Sequence, residues 1–155
     1  MTASNKIAQW LDDHNVDARL LSFEDSVHSV EDAIRVSGYP LEQITKSIVM
    51  VDENGAMVMA LVPARFRASS DRVRKCLGHV VRPRIAEADE VYEVLGQKIG
   101  GNAPLNLGEV QLIIDPLIFE QEWIITGGGD DRHLVYLKTE ELRRVASFIE
   151  ARVRK

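Results

Sequence analysis

The feature that most constrains this chain is a pair of apolar runs joined by a tight turn. Ile48-Val49-Met50-Val51 and Ala56-Met57-Val58-Met59-Ala60-Leu61-Val62 flank Asp52-Glu53-Asn54-Gly55. The Asn-Gly pair is a strong hairpin signal. Both arms are apolar at consecutive positions, which suits strands covered on both faces rather than strands with one wet face. Such a hairpin must be sandwiched by other elements. Lys46 stands at its mouth, in Ile44-Thr45-Lys46-Ser47. A lysine there either puts its ammonium into a cleft or snorkels out to water, and this segment alone leaves both open.

The rest of the chain supplies the covering layers. Ile7, Trp10 and Leu11 recur at helical spacing, predicting a helix over residues 4–13 with Ser4 as cap. Residues 16–23 suit a short strand. Ser29-Val30-Glu31-Asp32 resembles a capping box opening a helix through Val36, stopped by Gly38 and followed by Pro40. Ser69-Ser70-Asp71 starts another helix, which ends at Leu77 before Gly78. Residues 80–82 suggest a short strand, and 86–95 a helix whose acidic first turn matches its dipole. Strands follow at 112–116, 123–126 and 133–137. Thr139-Glu140-Glu141-Leu142 would cap a C-terminal helix to about Arg152, with Leu142, Val145, Ile149 and Val153 as its apolar stripe. Strands and helices mix without a strict βαβ rhythm, so the expectation is α+β, a mixed sheet with helices packed around it. At 155 residues the chain is expected to form one domain.

Two glycine-rich loops interrupt this pattern. Gln97 to Gly108 contains Gly100-Gly101 and Pro104 and is too rich in Gly, Pro and Asn for a helix or regular strand. Paired glycines let a backbone approach something closely, and Pro104 stiffens the loop. Ile99, Leu105 and Leu107 are expected to tie it to the core while its backbone faces outward. Thr126-Gly127-Gly128-Gly129-Asp130-Asp131 is the second loop. Each read alone is a turn. Together with Lys46 they suggest a site built from backbone donors.

Several chemistries are absent. The four histidines, His14, His28, His79 and His133, are scattered, and the single cysteine, Cys76, excludes an intramolecular disulfide. Cys76 lies in a basic helical stretch with no histidine nearby and reads as structural. His28, just before a helix cap, is a candidate substrate contact or simply a cap-adjacent surface residue. No nucleophile elbow, phosphate loop or dinucleotide fingerprint occurs. No apolar run spans a bilayer and no signal-peptide core precedes the first helix, so the expected location is cytoplasmic and no membrane partner is expected. The net charge of −5 argues against a strong unspecific grip on nucleic acid. Seven cations do cluster between Arg65 and Arg84, either as a phosphate-facing patch or as a solvated face balanced by the acidic run from Glu87 to Glu93. What remains is an enzyme that positions a substrate and stabilises an oxyanion through backbone N–H groups, with water as nucleophile.

Lys46 before the hairpin, Gly100-Gly101-x-x-Pro104-Leu105, Ile113-Ile114-Asp115, and Gly127-Gly128-Gly129 before a final strand and helix resemble, in that order, the YbaK family. These are aminoacyl-tRNA deacylases related to the editing domain inserted in bacterial prolyl-tRNA synthetases. The resemblance implies a single α+β domain over residues 1–155 with a mostly antiparallel, partly barrel-like sheet. It implies a freestanding trans-editing hydrolase that cleaves the ester of mischarged tRNA, such as alanyl- or cysteinyl-tRNA-Pro, with a synthetase such as prolyl-tRNA synthetase as a partner. By position, Lys46, Gly100 and Gly101 match its catalytic residues, and His28, Pro104, Gly127 and Gly128 are assigned to substrate binding. It implies no metal and no cofactor. Two departures stand out. Asn106 occupies a position two residues after the proline where the family usually has glycine, and Asp130-Asp131-Arg132 follows the second glycine cluster. Both are expected beside the pocket. A non-catalytic module on the same fold, binding an aminoacyl or nucleotide end or a protein, is the competing reading. A hydrolase of small non-RNA esters is a third.

Overall fold

A computed structural model describes residues 1–155. In chain order the elements are α1 (Ala3–Asp13), β1 (Ala18–Ser22), α2 (Val30–Ser37), a 3-10 turn (Leu41–Gln43), β2 (Thr45–Val51), β3 (Met57–Pro63), α3 (Ser70–Leu77), β4 (Arg84–Ile85), α4 (Ala88–Leu95), β5 (Gln111–Ile114), a second 3-10 turn (Pro116–Glu120), β6 (Trp123–Gly127), β7 (His133–Lys138), α5 (Thr139–Val145) and β8 (Phe148–Glu150). No helix is long and apolar enough to cross a membrane.

Capping side chains fix the helix starts. Thr2, not Ser4, caps α1 by accepting from the Asn5 N–H, and Ser4 is buried within the first turn. Ser29 and Ser69 accept from the N–H groups of Asp32 and Arg72 at α2 and α3. Glu87 and Glu90 form a reciprocal capping box on α4. Gly38, Gly78 and Gly96 end α2, α3 and α4 in the left-handed conformation.

The strands form two sheets. One, ordered β1-β7-β6, is wholly antiparallel. The other is ordered β4-β2-β3-β5-β8, and within it β5 runs parallel to both β3 and β8. Antiparallel pairs therefore predominate in a mixed arrangement. The sheets touch through a parallel bridge between Ile44 and Ile125, but no closed barrel forms. The β2–β3 hairpin has the expected register from Val51↔Met57 to Thr45↔Pro63, so Lys46 sits within β2 opposite Val62. Its turn is not a two-residue Asn-Gly turn. Only Gly55 is left-handed, at φ 81°, and the Asp52 carboxylate accepts from the N–H groups of Asn54 and Ala56.

Both faces of this hairpin are buried, as its consecutive apolar residues require. Val49, Val51, Met59 and Leu61 join Leu112, Ile114, Val135 and Leu137 in the main core. Met50, Val58, Ala60, Val62 and Ile113 pack on the opposite face against Val73 and Val153. A third cluster lies under α2, where Val27, Ala33, Ile44, Ile125 and Leu134 meet. Each large side chain taken from water contributes about 1.5–3 kcal/mol.

Two predicted elements are also absent. The long C-terminal helix is replaced by α5, which ends at Val145, and by β8, which pairs with β5. Leu142 and Val153 are both buried, but in clusters on opposite faces of the sheet, so one helix stripe could not place both. Residues 80–82 are also not a strand. Val80 and Val81 are exposed, and the short strand forms at Arg84–Ile85 instead.

Candidate active site

Where the two sheets meet, they hold the mouth of β2 against β6. The Thr45 hydroxyl donates to the Ile125 carbonyl at 2.8 Å, beside the Ile44–Ile125 bridge. This fixes Lys46 and Ser47 on one wall of a narrow cleft. Gly127, at the end of β6, and Gly100 and Asn102, from the first glycine loop, line the cleft with them. His28, from the loop before α2, completes it. Lys46, Gly100, Gly127 and His28 are therefore brought together from four separate parts of the chain.

No carboxylate lines this cleft. Burial, and then the positive charge of Arg67, push the Lys46 ammonium below the ordinary lysine range. A half-buried cation with no acidic partner is costly unless something anionic arrives.

The glycines serve a different purpose from the outward-facing backbone expected. At Gly127 a Cβ would stand 2.5 Å from the Gly101 carbonyl carbon, and at Gly101 it would stand 2.6 Å from the Asp130 carbonyl oxygen. The two loops thus pack backbone against backbone, and the Gly129 N–H donates to the Gly101 carbonyl at 2.6 Å. Gly128 is closed against His133 and donates to its carbonyl at 3.0 Å. Gly100 has φ 86°, and a Cβ there would meet the His28 ring at 2.6 Å. Gly101 and Gly128 support the cleft from behind, whereas Gly100 and Gly127 face it.

The supported loop leaves donors free. The Gly101 N–H bonds the Lys98 carbonyl and the Ala103 N–H bonds Gln97 Oε1, but the N–H groups of Gly100 and Asn102 have no acceptor within the chain. Asn102 Nδ2 also donates to Gln97 Oε1 at 3.2 Å. Asn102 Oδ1 and Ser47 Oγ are buried without a partner. Buried polar atoms are rarely left so. Ser47 and Asn102 adjoin Lys46 and Gly101 in sequence, and that adjacency was the available signal for both.

Other residues fall elsewhere. Pro104 is buried and lines a separate cleft with Trp10, Asn106 and Gly108. Asn106 adopts φ 55°, the left-handed conformation that asparagine tolerates best after glycine, and it lines this separate cleft rather than the Lys46 cleft. Asp130 is turned to His133, whose Nδ1 lies 2.7 Å from its Oδ1. Burial raises the Asp130 pKa, but the bonds from His133 and the Arg132 N–H outweigh it and leave it lowered. Four of the seven cations of the basic segment are paired with carboxylates. Arg74, Lys75 and Arg82 surround Asp71, and Arg84 grips Glu90. Cys76 packs beside the second cluster, and burial pushes its thiol up, the opposite of an activated nucleophile.

Comparison with known proteins bears on this geometry. The aminoacyl-tRNA editing domain model matches residues 24–145. The chain is 29% identical over 109 residues to the proline–tRNA ligase of Thermosipho africanus (strain TCF52B), covering 70% of this chain and 19% of the ligase. It thus spans about a fifth of that relative's length. Two solved structures share the whole fold. The hypothetical protein APE2540 superposes with a TM-score of 0.88 at 24% identity, covering 97% of this chain and 99% of the other. A protein described as a candidate trans-editing enzyme for prolyl tRNA synthetase gives 0.88 at 22% identity, covering 100% and 98%. At those identities the superpositions establish the fold. The match over residues 24–145, which takes in Lys46 and both glycine loops, establishes the family: this chain belongs to the aminoacyl-tRNA editing domain family, the YbaK family that its ordered motifs resemble.

Proposed function

We propose that this protein is a freestanding trans-editing aminoacyl-tRNA deacylase, hydrolysing the ester between an amino acid and the 3′ end of a mischarged tRNA. The observation that carries the reading is the cleft in which an unpaired Lys46 ammonium faces a loop with two free backbone N–H groups. An aminoacyl-tRNA end brings both complements, a phosphodiester anion for the cation and a carbonyl oxygen for the donors. Lys46 holds the substrate end as a compact charge. The Gly100 and Asn102 N–H groups stabilise the oxyanion that forms as water adds to the carbonyl carbon. The C–O bond to the ribose then breaks, and the ribose oxygen takes the proton. His28 and Gly127 shape the pocket, and Gly101, Gly128 and Pro104 hold the loops behind it.

The proline–tRNA ligase relatives make alanyl- and cysteinyl-tRNA-Pro the first substrates to test, and prolyl-tRNA synthetase the first protein partner. The reading places the protein in the cytoplasm, where charged tRNA is used.

A deacylation assay against a panel of mischarged tRNAs tests this, with Lys46→Ala alongside. The expected result is hydrolysis of at least one substrate, falling a hundredfold or more in the variant. Silence across the panel with tRNA still bound would replace the deacylase reading with the binding-module reading.

A further inference from the structure

Beside the Lys46 cleft lies a second, larger groove that this mechanism does not use. His28 lines both. The cleft offers ≈ 50 Å³ and the groove ≈ 570 Å³. The groove is bounded by Ser26, Ala88, Asp89, Tyr92, Lys98, Ile99 and Asp131 along with His28. Tyr92 is 65% exposed, and Ile99, next to Gly100, is 36% exposed. Val91 of the same helix is fully buried and takes α4 into the core, so Tyr92 is held on a rigid element with its side chain exposed. Ala88 lies one turn before Tyr92 on the same face and leaves the surface beside the ring open.

We propose that this groove is a nucleobase subsite, in which the unpaired terminal adenine of the tRNA stacks on Tyr92 while its aminoacyl ester occupies the Lys46 cleft. This deepens the deacylase reading and rests on it. The ester of an aminoacyl-tRNA is always one ribose from a base. The groove stands next to the ester cleft with only the His28 ring shared between them. Every base presents a π face, and an exposed aromatic side chain on a rigid element is the usual platform for one. The charge pattern selects the base over the phosphate. Lys98 is 3.9 Å from Asp131, and Asp89 adds a further carboxylate, so the groove is net negative and repels a phosphodiester. The phosphate is left to Lys46, whose ammonium already feels the positive charge of Arg67.

Equilibrium binding of a CCA trinucleotide tests the subsite without requiring hydrolysis, with a trinucleotide lacking the terminal base as reference. Tyr92→Ala should weaken CCA binding roughly tenfold and leave binding of the abasic reference unchanged, while Tyr92→Phe should bind CCA like the parent. Equal CCA affinity in parent and Tyr92→Ala would overturn the proposal. So would an equal loss in Tyr92→Phe, which would assign the effect to the hydroxyl rather than the ring. Assaying the same variants for deacylation keeps the two readings apart. A Tyr92-dependent CCA affinity without hydrolysis removes the deacylase and keeps the base subsite. Hydrolysis with a KM unmoved by Tyr92→Ala does the reverse.

Discussion

Gly127 and Gly101 meet backbone to backbone, close enough that a Cβ on Gly127 would lie 2.5 Å from the Gly101 carbonyl carbon and 2.6 Å from the Asn102 carbonyl oxygen. The two glycine loops are thus one packed unit, and the loop that carries the free Gly100 and Asn102 N–H groups is held in place by that contact. Gly127 is not left-handed, so its requirement for glycine is steric. Gly127→Ala should force the loops apart, lowering stability by about 1–3 kcal/mol and kcat for deacylation by more than KM changes. Thermal unfolding and steady-state kinetics measure both. An unchanged kcat would show that loop spacing does not set the donor geometry.

Lys46 carries a stability signature of a functional residue. Its folded pKa lies below the unfolded value, so the folded state disfavours the charged form. The sign follows by linkage: below the folded pKa the charged lysine costs stability, and the cost is relieved as pH rises towards the unfolded pKa. Lys46→Met should therefore raise Tm at neutral pH while abolishing hydrolysis. The gain should shrink above the folded pKa. A lowered Tm would assign Lys46 a structural role.

Asp115 is fully buried, and its carboxylate collects the C-terminal segment. Oδ2 accepts from the N–H groups of Val153 and Arg154, and Oδ1 accepts from the Leu117 N–H and from the Arg154 guanidinium at 2.6 Å. Removing one partner of a buried pair strands the other. Arg154→Ala should cost about 3 kcal/mol or more, read by denaturant unfolding, with kcat on aminoacyl-tRNA unchanged because neither residue lines the Lys46 cleft.

Glu141 ties α5 to the turn after α1. Its carboxylate accepts from Arg144 and from the Asp17 N–H, which holds its pKa at about 2. Arg144 in turn donates to the carbonyls of His14 and Asn15. A depressed carboxylate contributes stability that is fully present above its unfolded pKa and is lost as pH falls through its folded pKa. Glu141→Gln should therefore destabilise by about 1–2 kcal/mol at pH 7. The difference from the parent should close between about pH 4.3 and about pH 2. A pH-independent difference would point to lost packing instead.

Much of this architecture was legible in the chain itself. The consecutive apolar residues of Ile48–Val51 and Ala56–Val62 required a strand pair covered on both faces, because alternation would have left one face wet. Ser29, Ser69, Gly38 and Gly78 marked helix ends through caps whose geometry is local. The order of Lys46, Gly100-Gly101 and Gly127-Gly128 carried the family. Asn106 stands in the left-handed conformation, where asparagine is the non-glycine residue best tolerated.

Other features needed the folded chain. Phe148–Glu150 has the spacing of a helix continuation but pairs with β5, because Leu142 and Val153 must reach opposite faces of one sheet. Whether Lys46 enters a cleft or snorkels depended on the Ile44–Ile125 bridge, formed by residues distant in sequence. The same holds for the division among glycines, with Gly100 and Gly127 facing the cleft and Gly101 and Gly128 backing it. Sequence determined the helix starts, the central hairpin and the close-packed glycine turns, since those preferences act over a few residues. Tertiary structure decided which side chains face one another and which N–H groups stay free, because both depend on the packing of loops distant in the chain.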